Sequence, residues 1–416
     1  MSRPELPVRR NTLLLSAALA ANSGMLQLSA AVASLTLVLV LGVDQLLGLG
    51  PAIVLAAGAL AALPAGRAMD RYGRVPVLAA GFATGGLGGA LAGLGSALES
   101  SPIVLVGLVG VGMASGTALL ARTAAGDMYP PERRARGIAL VLFGAVFGAI
   151  LGPLVFSPLL ANRELDGDSL ALLWWASVAF MAVAFVLVLF VRPDPKRIGE
   201  LLHTSQHDYD PAAERTAAPL REIVRRPGVL PSLIAGQASF AVMVGIMTLT
   251  GSVVVDHHHH AGHTVFPIIG AHVLGMYALV LVIGTLIDRI GRTPSLAGGL
   301  LIMAASALSL LWVTGVAVTA VALFGLGIGW NLSFVAATAT LADCAAPWER
   351  GKLLGFNDLL AGLTGATLAL VGGLALAAIG VAALASGGAG LVIGPALWIM
   401  RAPLPRERLA ADEAAL

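Results

Sequence analysis

Charge is the first thing this chain has little of. Only 12% of its 416 residues are charged, against about 25% in an ordinary soluble domain. With 57% hydrophobic residues and a mean hydropathy of +0.89, most of the chain has no water to face. Cysteine is nearly absent. The single Cys344 excludes a disulfide within the chain and any cysteine-based zinc or iron–sulfur centre. A net charge of only +2 gives no reason to expect nucleic acid as a partner. No cleavable leader is evident, because Arg9 and Arg10 precede a long apolar run that reads as a retained first span. The loops show no nucleophile–base pair and no cofactor motif, so neither an enzyme nor a bound cofactor is expected. Charges inside the apolar runs are sparse as well: no acidic cluster suits a large organic cation, and no arginine pair suits a phosphate ester. Glycine, by contrast, is plentiful at 51 residues. Small residues let helices approach closely in a bilayer, where apolar contact alone gives no drive to associate.

A span needs about 20 mostly apolar residues. Cutting the chain at charges, prolines and turn residues predicts twelve: 12–36, 47–66, 75–97, 102–123, 137–160, 170–191, 231–254, 264–287, 294–315, 317–341, 353–375 and 377–400. The long polar stretch from Arg192 to Pro227 reads as a linker between two six-span halves. The expected division is a first bundle at 1–191, a linker at 192–229 and a second bundle at 230–416. Twelve spans place 24 of the 25 Lys and Arg on one side, with Arg163 alone on the other. The positive-inside rule then puts both termini in the cytoplasm, and an odd miscount of spans would scramble the asymmetry.

The halves repeat each other. Gly66-Arg67-Ala68-Met69-Asp70-Arg71-Tyr72-Gly73-Arg74-Val75-Pro76 follows the second span, and Gly284-Thr285-Leu286-Ile287-Asp288-Arg289-Ile290-Gly291-Arg292-Thr293-Pro294 follows the eighth. Both read G-x-x-x-D-R-x-G-R-x-P. A second pair follows each fourth span: Asp127 to Pro131-Glu132-Arg133, and Asp343 to Trp348-Glu349-Arg350. A tight hairpin explains Gly73 and Gly291. Asp70 and Asp288 end their helices where the helix dipole disfavours an anion. Each therefore calls for an arginine or the N-terminus of a neighbouring helix. The doubled motif resembles the cytoplasmic motif of the major facilitator superfamily, and Gly148-x-x-x-Gly152-Pro153 looks like that superfamily's glycine–proline motif. The resemblance implies an all-α, twelve-span fold of two pseudo-symmetric six-helix bundles that works by alternating access. It also implies a conformational charge lock, here Asp70, Arg71, Arg74, Asp288, Arg289 and Arg292, with Arg122 and Asp127 close by. A plain topogenic anchor with surface ion pairs is the alternative.

Cargo depends on groups near the midplane of the bundle. The seventh span carries Met243 and Met247, and the eighth carries His272 and Met276. Each pair is spaced i, i+4 and so shares one helix face. The seventh span runs outward and the eighth inward, which places Met243 and Met276 each about 12 residues, or roughly 18 Å, from the start of its span. Two rungs are expected: Met247 with His272 outside, and Met243 with Met276 inside. Thioethers and an imidazole suit Cu(I), a soft ion, and none of them need carry charge. The loop between these spans adds His257, His258, His259, His260 and His263, a set suited to gathering metal at the mouth. Met is also a common flexible filler of helix interfaces.

Met-x-x-x-Met followed by His-x-x-x-Met is similar to the motif pair of CcoA-like copper importers. That resemblance implies a monomeric secondary transporter of the cell membrane, carrying copper into the cytoplasm as its substrate. Two other readings compete: proton-coupled export of a hydrophobic drug or metabolite, and a receptor that binds metal without moving it. For proton coupling, Asp358 and Asp127 read equally well as proton carriers and as structural partners of arginines.

Overall fold

The computed structural model describes residues 6–41, 49–160, 166–204, 217–257, 259, 261 and 264–401. Among them there is no β-strand. Seventeen α-helices follow in order: α1 Val8–Leu41, α2 Leu49–Tyr72, α3 Arg74–Ala97, α4 Ser101–Leu119, α5 Ala121–Met128, α6 Arg134–Leu142, α7 Gly144–Leu160, α8 Gly167–Leu189, α9 Pro195–Thr204, α10 Leu220–Arg225, α11 Val229–Ser252, α12 Val265–Tyr277, α13 Val280–Ile290, α14 Arg292–Ser309, α15 Val316–Asp343, α16 Arg350–Ile379 and α17 Val381–Arg401.

Among the described residues, eight spans are helical, long and apolar enough to cross a membrane, and α12 with α13 forms a ninth, bent by 41°. The twelve predicted spans map onto α1, α2, α3, α4–α5, α6–α7, α8, α11, α12–α13, α14, α15, α16 and α17. Three of them are interrupted. The α4–α5 break falls at Leu120, and Arg122 Nη1 donates to the carbonyl of Leu119 (3.0 Å), one of those at the end of α4.

The chain forms two compact units. The first comprises Met1–Pro130, Leu140–Thr216 and Pro347–Leu359; the second comprises Pro131–Ala139, Ala217–Ala346 and Leu360–Leu416. Each unit therefore takes in a short segment from the connection after the other half's fourth span. In the first unit α3 lies on α4 and α8, α1 lies on α7 and α8, and α2 lies on α4. Backbone contact sets these distances. A Cβ on Gly116 would land on the carbonyl oxygen of Gly58, and a Cβ on Gly58 would come within 2.9 Å of the Gly112 carbonyl. Gly116→Ala is expected to destabilise the protein by about 1–3 kcal/mol through forced separation of α2 and α4. A lower melting temperature of the detergent-solubilised variant would show it.

In the second unit α15 is the central helix, with α11, α12 and α14 against it and α17 against α11 and α14. Residues Trp330 to Ala342 of α15 are buried without a break, which explains why their sequence shows no polar face.

Candidate functional site

The motif hairpins turn on glycines with positive φ, +102° at Gly73 and +94° at Gly291, a region that costs a side-chain-bearing residue. Each turn sets an aspartate at the end of one helix and an arginine at the start of the next. In the first unit Arg74 Nη1 donates to Asp70 (2.9 Å) and Arg74 Nε donates to Asp127 Oδ2 (2.7 Å). Arg350 Nη1 reaches the other oxygen of Asp127 at 2.8 Å. Asp70 also accepts from the backbone N–H groups of Gly351 (2.9 Å) and Lys352 (2.6 Å), at the start of α16. Both kinds of compensation, an arginine and a helix N-terminus, thus meet on one carboxylate.

The second unit repeats the arrangement. Arg292 Nη1 donates to Asp288 (2.9 Å) and Arg292 Nε to Asp343 (3.3 Å). Arg134 donates to the other oxygen of Asp343. Asp288 accepts from the N–H groups of Ala135 (3.2 Å) and Arg136 (2.9 Å), at the start of α6. Even the backbone acceptors correspond: Arg74 Nη2 donates to the Pro347 carbonyl, and Arg292 Nη2 to that of Pro131. Each quartet of two aspartates and two arginines is neutral, and the Arg74–Asp127 side chains are 0% exposed.

Three sequence readings need correction here. The counterpart of Arg350 is Arg134, not Arg133; a 3₁₀ turn over Pro131–Arg133 precedes α6, and Arg133 is exposed. Arg71 and Arg289 are exposed, and Arg71 lies over the Tyr72 ring at 5.1 Å instead of joining the buried quartet. Arg122 does not bond Asp127; it donates to Asp358. One carboxylate was missed. Asp194 accepts from the N–H groups of Arg74 (3.1 Å) and Val75 (2.9 Å), capping α3 from the linker. Its signal was Asp194-Pro195 ahead of an amphipathic run, a helix-start signature.

The candidate metal donors lie in the second unit. Met243 and Met276 are buried, Met247 is half-buried and His272 is only 1% exposed. His272 stands on the seam between α12 and α15. Backbone contact holds the seam tight: a Cβ on Gly275 would land on the Phe324 carbonyl, and a Cβ on Gly327 would come within 2.5 Å of the His272 carbonyl. The expected partner of α12 was α11; the helix packs chiefly on α15, with α11 a slighter neighbour. His272 Nδ1 lies 2.9 Å from the Leu323 carbonyl oxygen. A carbonyl can only accept, so Nδ1 carries the proton and Nε2 holds a lone pair. Nε2 is buried and has no protein partner.

Close by on α15 is a cluster of rings. Trp330 stacks on Phe334 with centroids 4.7 Å apart, and Tyr277 meets Trp330 edge-on at 6.2 Å. Trp330 Nε1 and Asn331 Oδ1 are buried without partners, while Asn331 Nδ2 donates to the Met276 carbonyl. Among the described residues no group of three or more His, Cys, Asp or Glu side chains could hold a metal ion, so a metal here would depend on the thioether–imidazole set. In the loop, His257 and His259 are exposed; His258, His260 and His263 lie outside the described residues.

Cys344, half-buried at the end of α15, is pushed up to about 12 by desolvation and by the neighbouring Asp343 carboxylate. At neutral pH it stays a thiol, a poor metal ligand. Its alkylation by a maleimide at pH 7.5 is expected to run at least about a hundredfold slower than that of an unperturbed thiol, which a timed mass-spectrometric assay would measure.

The Major Facilitator Superfamily profile matches residues 12–271 and 258–415. The riboflavin transporter RfnT of Brucella anthropi is 34% identical over 308 residues, covering 73% of each chain. The uncharacterized MFS-type transporter YdeG of Bacillus subtilis is 30% identical over 342 residues, covering 80% of this chain and 78% of its own. Among solved structures, the Escherichia coli fucose:proton symporter FucP superposes with a TM-score of 0.74 at 16% identity, over 93% of this chain and 98% of that one. Two quartets of the same construction in two units, on a chain matched through both halves, leave one reading: this multi-pass transporter belongs to the Major Facilitator Superfamily.

Proposed function

We propose that the transporter carries copper, as Cu(I), into the cytoplasm by alternating access. The observation that carries this reading is the lone pair of His272 Nε2, held in place by the Nδ1 bond to Leu323 and left without a protein partner in a buried site. Met276 lies one turn away on the same helix, and Met243 and Met247 supply further thioethers from α11. Neutral soft donors bind Cu(I) without placing a net anion in the bilayer, and thioethers release it more readily than thiolates would. The clustering of Lys and Arg in alternate loops favours a cell-membrane protein with both termini in the cytoplasm. The inward direction follows from the likeness of the Met and His motifs to those of copper importers. The two quartets serve in this reading as the lock that opens and closes one side.

A second reading has its own support. The relative at 34% identity is a riboflavin transporter, and the Tyr277, Trp330 and Phe334 rings with the unpartnered Trp330 Nε1 and Asn331 Oδ1 suit a planar heteroaromatic solute. Uptake into reconstituted vesicles separates the two. Wild type should accumulate Cu(I) supplied with a reductant, and the Met243→Ala/Met247→Ala variant should lose at least about nine-tenths of that rate, in line with the loss of metal ligands. Riboflavin uptake by wild type with no copper uptake would reject copper in favour of the second reading. Copper that binds without accumulating would leave a receptor.

A further inference from the structure

Asp358 has an environment that the cargo site does not explain. Its side chain is 6% exposed and stands on α16 one residue before the point at which that helix passes from the first unit to the second. Oδ1 is fully engaged: Arg122, 0% exposed, donates to it, and Asn357 Nδ2 donates at 3.1 Å. Oδ2 is buried and has no partner at all. The other buried aspartates of this unit are not left so. Asp127 has an arginine on each oxygen, and Asp70 has backbone N–H donors on both.

A carboxylate oxygen with no donor in a dry site is a place for a proton. We propose that Asp358 is the proton-binding group through which this transporter is driven, with Arg122 as its counter-charge. One proton from the aqueous side adds to an Oδ2 lone pair and turns the carboxylate into a carboxylic acid. Arg122 stays a guanidinium, so the pair changes from neutral to a net charge of +1. Release of the proton on the far side restores it. The charged and titratable groups on the surrounding elements are Arg122 and Asp127 on α5, Arg350 and Lys352 on α16 itself, and Arg67, Asp70, Arg71 and Arg74 of the α2–α3 hairpin. Asp127 and Asp70 are saturated by Arg74, Arg350 and backbone donors, and Arg67 and Arg71 are exposed. Protonation at Asp358 therefore has one immediate electrostatic consequence, which is an uncompensated Arg122. In a low-dielectric interior that state favours rearrangement, and it arises where one helix serves both units.

The site rests on transport, and not on copper as the cargo, so its first test needs no cargo. The purified full chain in lipid nanodiscs would be followed by infrared difference spectroscopy between neutral and acidic pH. Wild type should gain the C=O stretch of a protonated carboxyl group. Asp358→Asn should lose that band, and Asp358→Glu should keep it at a shifted frequency. Because Asp358→Asn strands a buried arginine, Arg122→Gln/Asp358→Asn is the paired variant, in which both charges go together; it too should lack the band. An unchanged band in either Asn variant overturns the proposal. The second test is accumulation in vesicles with an imposed pH gradient and radioactive copper. One-proton coupling allows wild type to concentrate its cargo up to about tenfold per pH unit, whereas the double variant should not exceed equilibrium. Gradient-driven accumulation by the double variant, or accumulation driven by sodium in place of protons, also overturns it. Absence of copper uptake in wild type would remove the copper reading and leave the infrared result standing.

Discussion

Asp127→Asn should lower the stability of the protein by about 3–5 kcal/mol, the usual result of removing one partner from a buried ion pair. The reason is specific to this carboxylate. Its two oxygens hold Arg74 at 2.7 Å and Arg350 at 2.8 Å, and the Asp127 and Arg74 side chains are 0% exposed. An asparagine could accept from only one of the two guanidinium groups and would present an amide N–H₂ to the other. Two buried cations would then share the compensation of Asp70 alone. No comparable cost is expected at Glu132 in the neighbouring 3₁₀ turn, whose side chain is exposed; Glu132→Gln should fall within about 0.5 kcal/mol of wild type. Thermal unfolding of both variants in one detergent, followed by size-exclusion chromatography, measures the difference. Equal melting temperatures for the two would mean that the quartet contributes no net stability.

The quartets also show what the sequence could and could not carry. The Asp-to-Arg spacing of four residues in each motif, with a glycine between, already implied an ion pair bridging a tight turn. The same spacing in both halves implied that it would occur twice. What went astray was the register of the second loop. Matching Pro131-Glu132-Arg133 to Trp348-Glu349-Arg350 aligned letters, but the 3₁₀ turn over residues 131–133 delays the helix start, so Arg134 faces Asp343. Local helix phase decided the pairing, and local phase at a loop is poorly written in residue types. Asp194 was lost for a related reason: a polar, proline-rich stretch read as a linker, although its aspartate is bonded to the start of α3. The neighbours of α12 were hidden more deeply. Periodicity shows which residues share a face, and not which helix that face meets. Gly275 and Gly327 were the available signal, since only glycine lets two backbones come so close, but a chain with 51 glycines offers many such pairs.

His272→Asn should abolish copper accumulation, a loss of at least about tenfold in rate and in line with the removal of a metal ligand, while leaving the fold close to wild type. The argument turns on which ring nitrogen does what. The amide nitrogen of asparagine falls near the position of imidazole Nδ1 and can donate to the Leu323 carbonyl, so the seam between α12 and α15 keeps its hydrogen bond. The Nε2 lone pair, buried and unclaimed in the protein, disappears. His272→Gln does the reverse: its terminal amide reaches toward the Nε2 position and the bond to Leu323 is given up. A role in packing alone predicts that His272→Gln is the worse variant in thermal stability and that His272→Asn is nearly silent in uptake. A role in holding copper predicts that both lose uptake and that His272→Asn does so at wild-type stability. Measuring melting temperature and Cu(I) uptake on the same preparations separates the two, because the seam and the ion use different atoms of one side chain.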